Sequence, residues 1–459
     1  MNALADDRKP SRSRRAFLAA GIVGLVGAAW ALRRRLVARL DALTARPDFA
    51  ATPPLVPHDA ARERRTVYVA RGEGPAANVE RALSKLGGVE KLVGVDDVVL
   101  VKVSAQWWNQ GMTNVAAVKR FLELVLAIPG FAGEIIVFEN THFLLESGSP
   151  LSRAWTHPSE RNVDVAGWNK LGDLIPHFEA LGAPVSFVGL VDAGKSTLAG
   201  DHWHDPAHQH GVYGGDGRGP IAVGDVRDGY RWDFERTFRR KRSLVEYAAT
   251  PLSWPVFTSP KSGLVVDLRD GLFRRDGTKR VAVARKLTWV SMVTANEHAS
   301  TGMTCACKSA MGVVDMSAGR MGTDPRIADY RSVHYFGAPS ASWRMAGPLA
   351  HFAREVRAPD LYLAIAEWVA ARPHGPWDDE QSDIRLDARS AHHVGAVVAG
   401  VDPVAVDTYC AKHLLTPLGG GRADTYDVDR ADSTLSRFLR YYREVHGTGT
   451  LDQGLIDVV

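Results

Sequence analysis

Cysteine is scarce in this chain, with three in 459 residues. That excludes a disulfide scaffold, because small stapled folds use cysteine far more densely. No internal repeat and no low-complexity tract is present, which removes solenoids and disordered tracts from consideration. Net charge is small as well: 56 Lys and Arg face 52 Asp and Glu, a balance of +4. Even this surplus is local. Residues 1–46 hold ten Lys/Arg against three Asp/Glu, so residues 47–459 carry a balance of about −3. A body of that charge is not an evident nucleic-acid binder, since phosphate neutralisation needs a concentrated basic surface. After residue 32 no apolar run approaches spanning length. What is present is ordinary globular material: 45% apolar, 24% charged and 8% aromatic residues, with 12 Trp.

The amino terminus reads as an export signal. Basic residues 8–15 precede a charge-free apolar run of 17 residues from Ala16 to Leu32, the layout of a signal peptide. Ser13-Arg14-Arg15-Ala16-Phe17-Leu18 resembles the twin-arginine pattern Ser/Thr-Arg-Arg-x-Phe-Leu. Ala29-Trp30-Ala31 has the small-x-small form of a cleavage site, yet Arg33-Arg34-Arg35 follows at once. The expectation is an uncleaved N-terminal signal/anchor helix over residues 1–46. It places the body outside the cytoplasmic membrane, periplasmic or on the outer side of that membrane. The partners so implied are the twin-arginine export machinery and the cytoplasmic membrane.

Residues 47–65 form a Pro/Ala/Arg-rich linker. Beyond it strand and helix signals alternate. Strands are expected at Thr66–Ala70, Val98–Val103, Glu134–Phe138, Val185–Val191, Leu287–Val293, Leu361–Ala366 and Val394–Ala399. Helices are expected at Asn78–Leu86 before Gly87-Gly88, at Asn114–Ile128, and after Asp402-Pro403, where Asp caps and Pro takes the first helical position. This rhythm predicts an α/β fold, a mostly parallel sheet with helices on both faces. Residues 140–180 and 200–260 break it and read as long loop insertions. The domain reading is 66–415 for the α/β domain and 416–459 for a C-terminal helical extension.

From Thr66 to about Leu415 the chain resembles the domain of unknown function 362 family. Arg81–Gly88 followed by Val98-Val99-Leu100-Val101-Lys102 is similar to its opening helix, glycine pair and lysine-bearing strand. In residues 296–312, His298, Thr304, Lys308 and Gly312 match the central motif, while Asn296 replaces a usual Lys and Ser309 a usual Asn. Gly400-Val401-Asp402-Pro403-Val404-Ala405-Val406-Asp407 matches the terminal motif. Glu367, before His374-Gly375-Pro376, stands where Asp is common. The resemblance implies an α/β fold and transfers positions without a reaction. The cysteine runs of an iron–sulfur ferredoxin motif, carried by some members, are missing.

These positions make the first candidate site. His298, Lys308, Asp402, Asp407 and Glu367 are the catalytic candidates, with Lys102, Thr304 and Gly312 for cofactor or ligand binding. Most fall at or just beyond strand ends, where open α/β sheets bind ligands. A His with carboxylates suits a divalent metal, and lysines suit a phosphate or carboxylate. The plainer reading makes Asp402 an N-cap, Asp407 an exposed helix residue and Lys308 a salt-bridge partner.

The second candidate is His202, His204, His208 and His210 in Asp-His-Trp-His-Asp-Pro-Ala-His-Gln-His, a set suited to a divalent transition metal. The third is Gly189-Leu-Val-Asp-Ala-Gly194-Lys195-Ser196-Thr197, which fits the phosphate-loop pattern after a strand. The helix that motif needs is broken within a few residues. Cys305 and Cys307 alternate along a possible strand, and Cys410 lies in the last helix, as buried small residues or a metal–thiolate pair. The first functional expectation is a metal- or cofactor-dependent enzyme on a small anionic substrate, since twin-arginine export implies folding before translocation. The alternatives are a non-catalytic exported ligand- or metal-binding protein, and a nucleotide hydrolase using Gly189–Thr197.

Overall fold

The computed structural model describes residues 63–140, 152–190, 212–213, 228–241, 247–298, 300–316, 332–336, 341–371 and 391–459. The chain runs through β1 (Arg65–Arg71), α1 (Pro75–Leu86), β2 (Val98–Val103), α2 (Val115–Leu126), β3 (Glu134–Asn140), α3 (Leu174–Ala180), β4 (Val185–Leu190) and β5 (Val212–Tyr213). Five strands follow: β6 (Gly229–Lys241), β7 (Tyr247–Thr258), β8 (Val265–Asp267), β9 (Gly271–Asp276) and β10 (Lys279–Ala282). Then come β11 (Leu287–Thr294), the short β12 (Asn296–His298) and β13 (Gly302–Thr304), α4 (Ala346–Glu355), β14 (Leu361–Ala370) and β15 (Ala391–Gly400). The chain closes with α5 (Pro403–Cys410), α6 (Thr434–His446) and β16 (Ile456–Val458).

Local chemistry accounts for the element ends. Pro75 starts α1, and Gly87 at φ 107 ends it, with the Gly88 N–H returning to the Leu83 carbonyl. Asn114 caps α2, its side chain accepting the Ala117 N–H at 3.1 Å. Strands β2, β3, β4 and β11 are buried along their whole length, which explains their unbroken apolar sequences.

The main sheet has nine strands in the order β16-β1-β15-β14-β11-β2-β3-β4-β5. Its pairings are parallel except at both edges of β15, so β15 alone runs against the others. One face is covered by α1, α2 and α3, with Leu83, Phe121, Val125 and Phe178 on Val99, Val101, Val137 and Met292. The other face is shared. Helices α4, α5 and α6 take part of it, and a second sheet takes the rest.

That second sheet corrects the sequence reading. Residues 200–260 were expected to be loop, but β6 and β7 span much of the latter half of that stretch. With β8–β10 they form a five-stranded antiparallel sheet, ordered β10-β9-β8-β7-β6. The alternation Tyr230-x-Trp232 in β6 and Leu252-x-Trp254-x-Val256 in β7 sends these side chains into the shared core. Polar residues between them mask the pattern in a composition-based reading. Residues 140–180 likewise contain α3 and are not all loop. Cys305 and Cys307 do not alternate on a strand: Cys305 follows β13, and Cys307 lies in a 3-10 turn.

Residues 1–62, with the expected signal and nearly all of the linker, lie outside the described residues, as do His202, His204, His208, His210 and Val191–Thr197. Among the described residues no helix is long and apolar enough to cross a membrane.

Candidate functional site

Two neighbouring parallel strands end in ionisable residues. Lys102 is the penultimate residue of β2 and Glu139 the penultimate residue of β3. Both are buried, and Nζ of Lys102 lies 3.9 Å from Oε1 of Glu139. That is an ion-pair distance without a direct hydrogen bond. Oε2 of Glu139 is buried with no hydrogen-bond partner. Ser291, the register partner of Lys102 on β11, also has a buried and unpartnered hydroxyl. Unsatisfied buried polar atoms are costly, and a ligand or a water at the site is one way to complete them.

Burial pushes Glu139 up to about 8, with the Lys102 charge and the Ala105 N–H pulling the other way. The same burial pushes Lys102 down, with Glu139 opposing it. Burial thus brings the carboxyl up and the ammonium down, so the two groups titrate closer together than an exposed carboxylate and lysine would.

Lys308 is the second buried lysine. Loss of water, then repulsion from Lys102, brings it down to about 7. Among the described residues it has no carboxylate partner. Gly312, one helical turn further on, closes over Lys102: a Cβ there would fall 2.7 Å from Cε and 3.1 Å from Nζ of Lys102, and 3.4 Å from Cγ of Glu139. With glycine there the backbone packs closely against the pair, and a Cβ would displace the end of the Lys102 side chain.

Lys308 and Gly312 are carried by a seven-residue 3-10 segment, Ala306–Gly312. Runs of that length are uncommon, because their hydrogen bonds are poor, so outside partners must hold the segment. Asp407 in α5 holds its start, accepting the Ala306 N–H at 2.7 Å and the Cys307 N–H at 3.1 Å. Burial pushes Asp407 up to about 6, opposed by those N–H groups and by the thiols of Cys305 and Cys307. The second sheet holds the far end. Tyr230 Oη donates to the Val313 carbonyl at 2.9 Å and accepts from Asn140 Nδ2 at 3.0 Å. Asn140 also donates to the Val314 carbonyl at 2.8 Å. Trp232 Nε1 donates to Asp315 at 2.7 Å, and the Asp315 N–H reaches Ser253 at 3.0 Å.

The remaining candidates from the sequence are distributed differently. Asp402 caps α5, accepting the N–H groups of Val404 at 2.9 Å and Ala405 at 3.2 Å, while its other oxygen accepts the Thr450 N–H at 3.1 Å. With Arg65 Nε 3.4 Å from the second oxygen, the carboxylate is engaged at both oxygens, and the cap matches the N-cap reading of its sequence. Asp407 is buried, so it is not the exposed helix residue of the plainer reading. Glu367 accepts a bond from His393 Nε2 at 2.8 Å on the neighbouring strand β15. Burial raises Glu367, with that histidine opposing. His298 is half-buried at the end of β12, where Nδ1 accepts the Ser300 N–H at 3.2 Å. It shares no hydrogen bond with Lys308. Thr304 pairs with Asn296 across the β12–β13 ribbon. The structure thus brings Lys102, Lys308 and Gly312 together and joins Asp407 to them through the backbone it holds.

Burial pushes the Cys305 and Cys307 thiols well above their usual range, with Cys410 adding to the effect at Cys305 and Asp407 at Cys307. Such groups are protonated and unreactive. Among the described residues no group of three or more His, Cys, Asp or Glu side chains is disposed to hold a metal.

Residues 274–412 match the family model of a domain of unknown function, DUF362. Comparison with curated proteins and with solved structures finds no match. The DUF362 match contains the segment 306–312, Glu367, Asp402 and Asp407, but neither Lys102 nor Glu139. The lysine pair is therefore assembled from the matched region and the strands that precede it.

Glu139, Asn140, Ser291 and Tyr230 escaped the sequence reading. For Glu139 and Asn140 a signal existed. The run Ile-Ile-Val-Phe ends in an acid and an amide, and polar residues at the carboxyl end of a buried parallel strand are the usual mark of a site. Ser291 and Tyr230 join the site only through pairing across distant strands.

Proposed function

We propose that this chain is an exported member of the DUF362 family that binds a small anionic substrate between Lys102 and Lys308 and exchanges protons with it. The observation that carries this reading is Lys308, buried beside a second lysine without a carboxylate of its own among the described residues. An isolated buried ammonium is strongly disfavoured. An anion entering the site supplies the missing counter-charge and raises both lysines back toward their ordinary range. Glu139, poised near neutrality, is then the group that gives or takes the proton. Asp407 acts as a positioning residue, through the backbone of Ala306 and Cys307.

Calorimetric titration of the full chain with propionate, phosphate and sulfate tests the binding. The expected result is saturable binding of at least one anion, abolished in Lys308→Met while the fold is retained. Binding that survives both Lys308→Met and Lys102→Met overturns the reading. The second reading, a non-catalytic binding protein, uses the same lysines, and turnover of a bound carboxylate or phosphate separates the two. The histidine segment 202–210 is where a divalent transition metal would be held, and elemental analysis of the purified chain tests it. Hydrolysis of a nucleotide at Gly189–Thr197 predicts ATP or GTP binding that Lys195→Ala removes. Export and N-terminal anchoring are tested by fractionation. Arg14→Lys combined with Arg15→Lys is expected to leave the chain in the cytoplasm, and unchanged export excludes the twin-arginine route.

A further inference from the structure

Among the described residues the non-glycine positions with positive φ are Asn109, Asn162 and Asp164. Strained backbone of this kind persists where the surroundings hold it, and it collects at functional sites. All three meet at one bulge in β14. Asn162 Oδ1 accepts the Trp368 N–H at 3.2 Å, and its Nδ2 donates to the Trp368 carbonyl at 3.3 Å and the Asn109 carbonyl at 3.1 Å. The charge of Asp164 reaches Glu367. The register of β14 on β15 shifts between Ala366 and Trp368, and Glu367, at the shift, meets His393 with Nε2 2.8 Å from Oε1. Re-aiming a side chain is what a bulge does. The carboxylate is 6% exposed and the imidazole 56%. Asp402 and Asp407 spend their oxygens on backbone N–H groups, whereas Glu367 bonds to the imidazole and leaves Oε2 buried without a partner. An imidazole that donates from Nε2 carries its lone pair on Nδ1. The half-exposed ring thus presents a base, its back held by a buried carboxylate. This pair is separate from the lysine site. Through Ser291, Lys102 is level with Tyr362, and Glu367 lies roughly 16 Å further along β14 at 3.3 Å per residue.

We propose that Glu367 and His393 form a second, hydrolytic site, in which His393 is the general base for a water attacking an activated acyl ester and Glu367 is its positioning residue. A lone imidazole suits an ester whose leaving group departs readily. The Trp368 ring, 5.1 Å from the imidazole and covered by Arg161 at 5.3 Å, supplies a flat apolar wall for an aryl or acyl group. Nδ1 takes a proton from water as the water oxygen bonds to the acyl carbon and the carbonyl π pair moves to oxygen. The tetrahedral adduct then re-forms the carbonyl and expels the leaving group, which receives the proton from Nδ1. The products are a carboxylic acid and an alcohol or thiol, and the imidazole is neutral again. Glu367 holds the Nε2–H throughout, fixing the tautomer and stabilising the transient imidazolium.

Hydrolysis of p-nitrophenyl acetate by the full chain at pH 7.5 tests the site. The expected result is saturable turnover that slows in deuterium oxide and falls at least about tenfold in His393→Gln. Glu367→Gln keeps an acceptor for the Nε2–H without the charge, and is expected to lower kcat by about tenfold with KM unchanged. A merely structural carboxylate would not split the two constants. Circular dichroism checks the fold of both variants, and His157→Gln, at an exposed histidine outside the pair, is expected to keep the parental rate. Should His393→Gln fail to fold, carbethoxylation of His393 by diethyl pyrocarbonate, mapped by mass spectrometry, is expected to give the same loss in the parent. Turnover that survives loss of His393, or a parental rate no higher than that of buffer, overturns the proposal. A burst of p-nitrophenol with an acetyl group left on His393 overturns the base role, because the ring then attacks directly. Each of these outcomes leaves anion binding at Lys102 and Lys308 to its own calorimetric test.

Discussion

The carboxylate of Asp407 accepts the N–H of Ala306 at 2.7 Å, although 101 residues separate the two along the chain. Its second oxygen takes the Cys307 N–H at 3.1 Å. A side chain from one helix thereby caps a different segment, the one that carries Lys308. Helix α5 starts at Asp402, which caps it, so two aspartates of one short motif cap two separate elements. Each carboxylate of that motif thus has a structural purpose.

Replacing Asp407 tests that relationship. Asp407→Ala leaves two buried N–H groups without an acceptor, and is expected to lower stability by about 3 kcal/mol. Asp407→Asn keeps one carbonyl acceptor and is expected to lose about half as much. Chemical denaturation of the three proteins measures the series. An unchanged midpoint in Asp407→Ala would show that water replaces the carboxylate.

Lys308 gives a pH dependence with a definite sign. Its folded value of about 7 lies below the ordinary 10.5. Across that window the unfolded chain takes up a proton that the fold refuses, so this lysine's contribution is present above pH 10.5 and is lost as pH falls toward 7. Lys308→Met lacks the penalty. The stability that the variant gains over the parent is expected to be larger at pH 7 than at pH 10, by about 3–4 kcal/mol. Urea melts at the two pH values measure it, and a difference that does not move with pH contradicts the burial of a proton-shedding amine.

Gly312→Ala separates ligand binding from stability. The added methyl would meet the Lys102 tail at 2.7 Å, and a lysine tail can bend away at small cost. Stability is expected to fall by about 1 kcal/mol or less, and anion affinity by about tenfold, because the ammonium leaves its place. Calorimetry alongside thermal melting reads both. Equal losses in each would mean that the glycine serves only packing.

Tyr230→Phe removes the hydroxyl shared by Asn140 and Val313. The cost expected is about 1–2 kcal/mol, since two buried partners lose it at once. Anion affinity is expected to fall as well, because the far end of the segment that carries Lys308 is released. A variant with parental stability and parental anion affinity would remove the second sheet from any role in positioning.

Legibility in the sequence followed the range of the interactions. The buried strands Val98–Val103 and Leu287–Thr294, the Asn114 cap and the Asp402-Pro403 helix start all depend on neighbours within a few residues. Lys102, Lys308 and Gly312 were singled out by a family resemblance. Glu139 lies one residue beyond the apolar run that marks its strand, and its partner Lys102 comes from a neighbouring strand. The five-stranded sheet was missed because Tyr230 and Trp232 alternate with charged residues inside a polar stretch.

The sequence by itself determined the parallel α/β core, since continuous aliphatic runs can only be buried on both faces, and it determined the end of α1 and the starts of α2 and α5. Tertiary structure alone decided what Lys102 and Lys308 are. A lysine's charge state depends on which groups surround it and how much water they exclude. Those groups come from β3, the 306–312 segment and the helix that carries Asp407, elements that no spacing along the chain brings together.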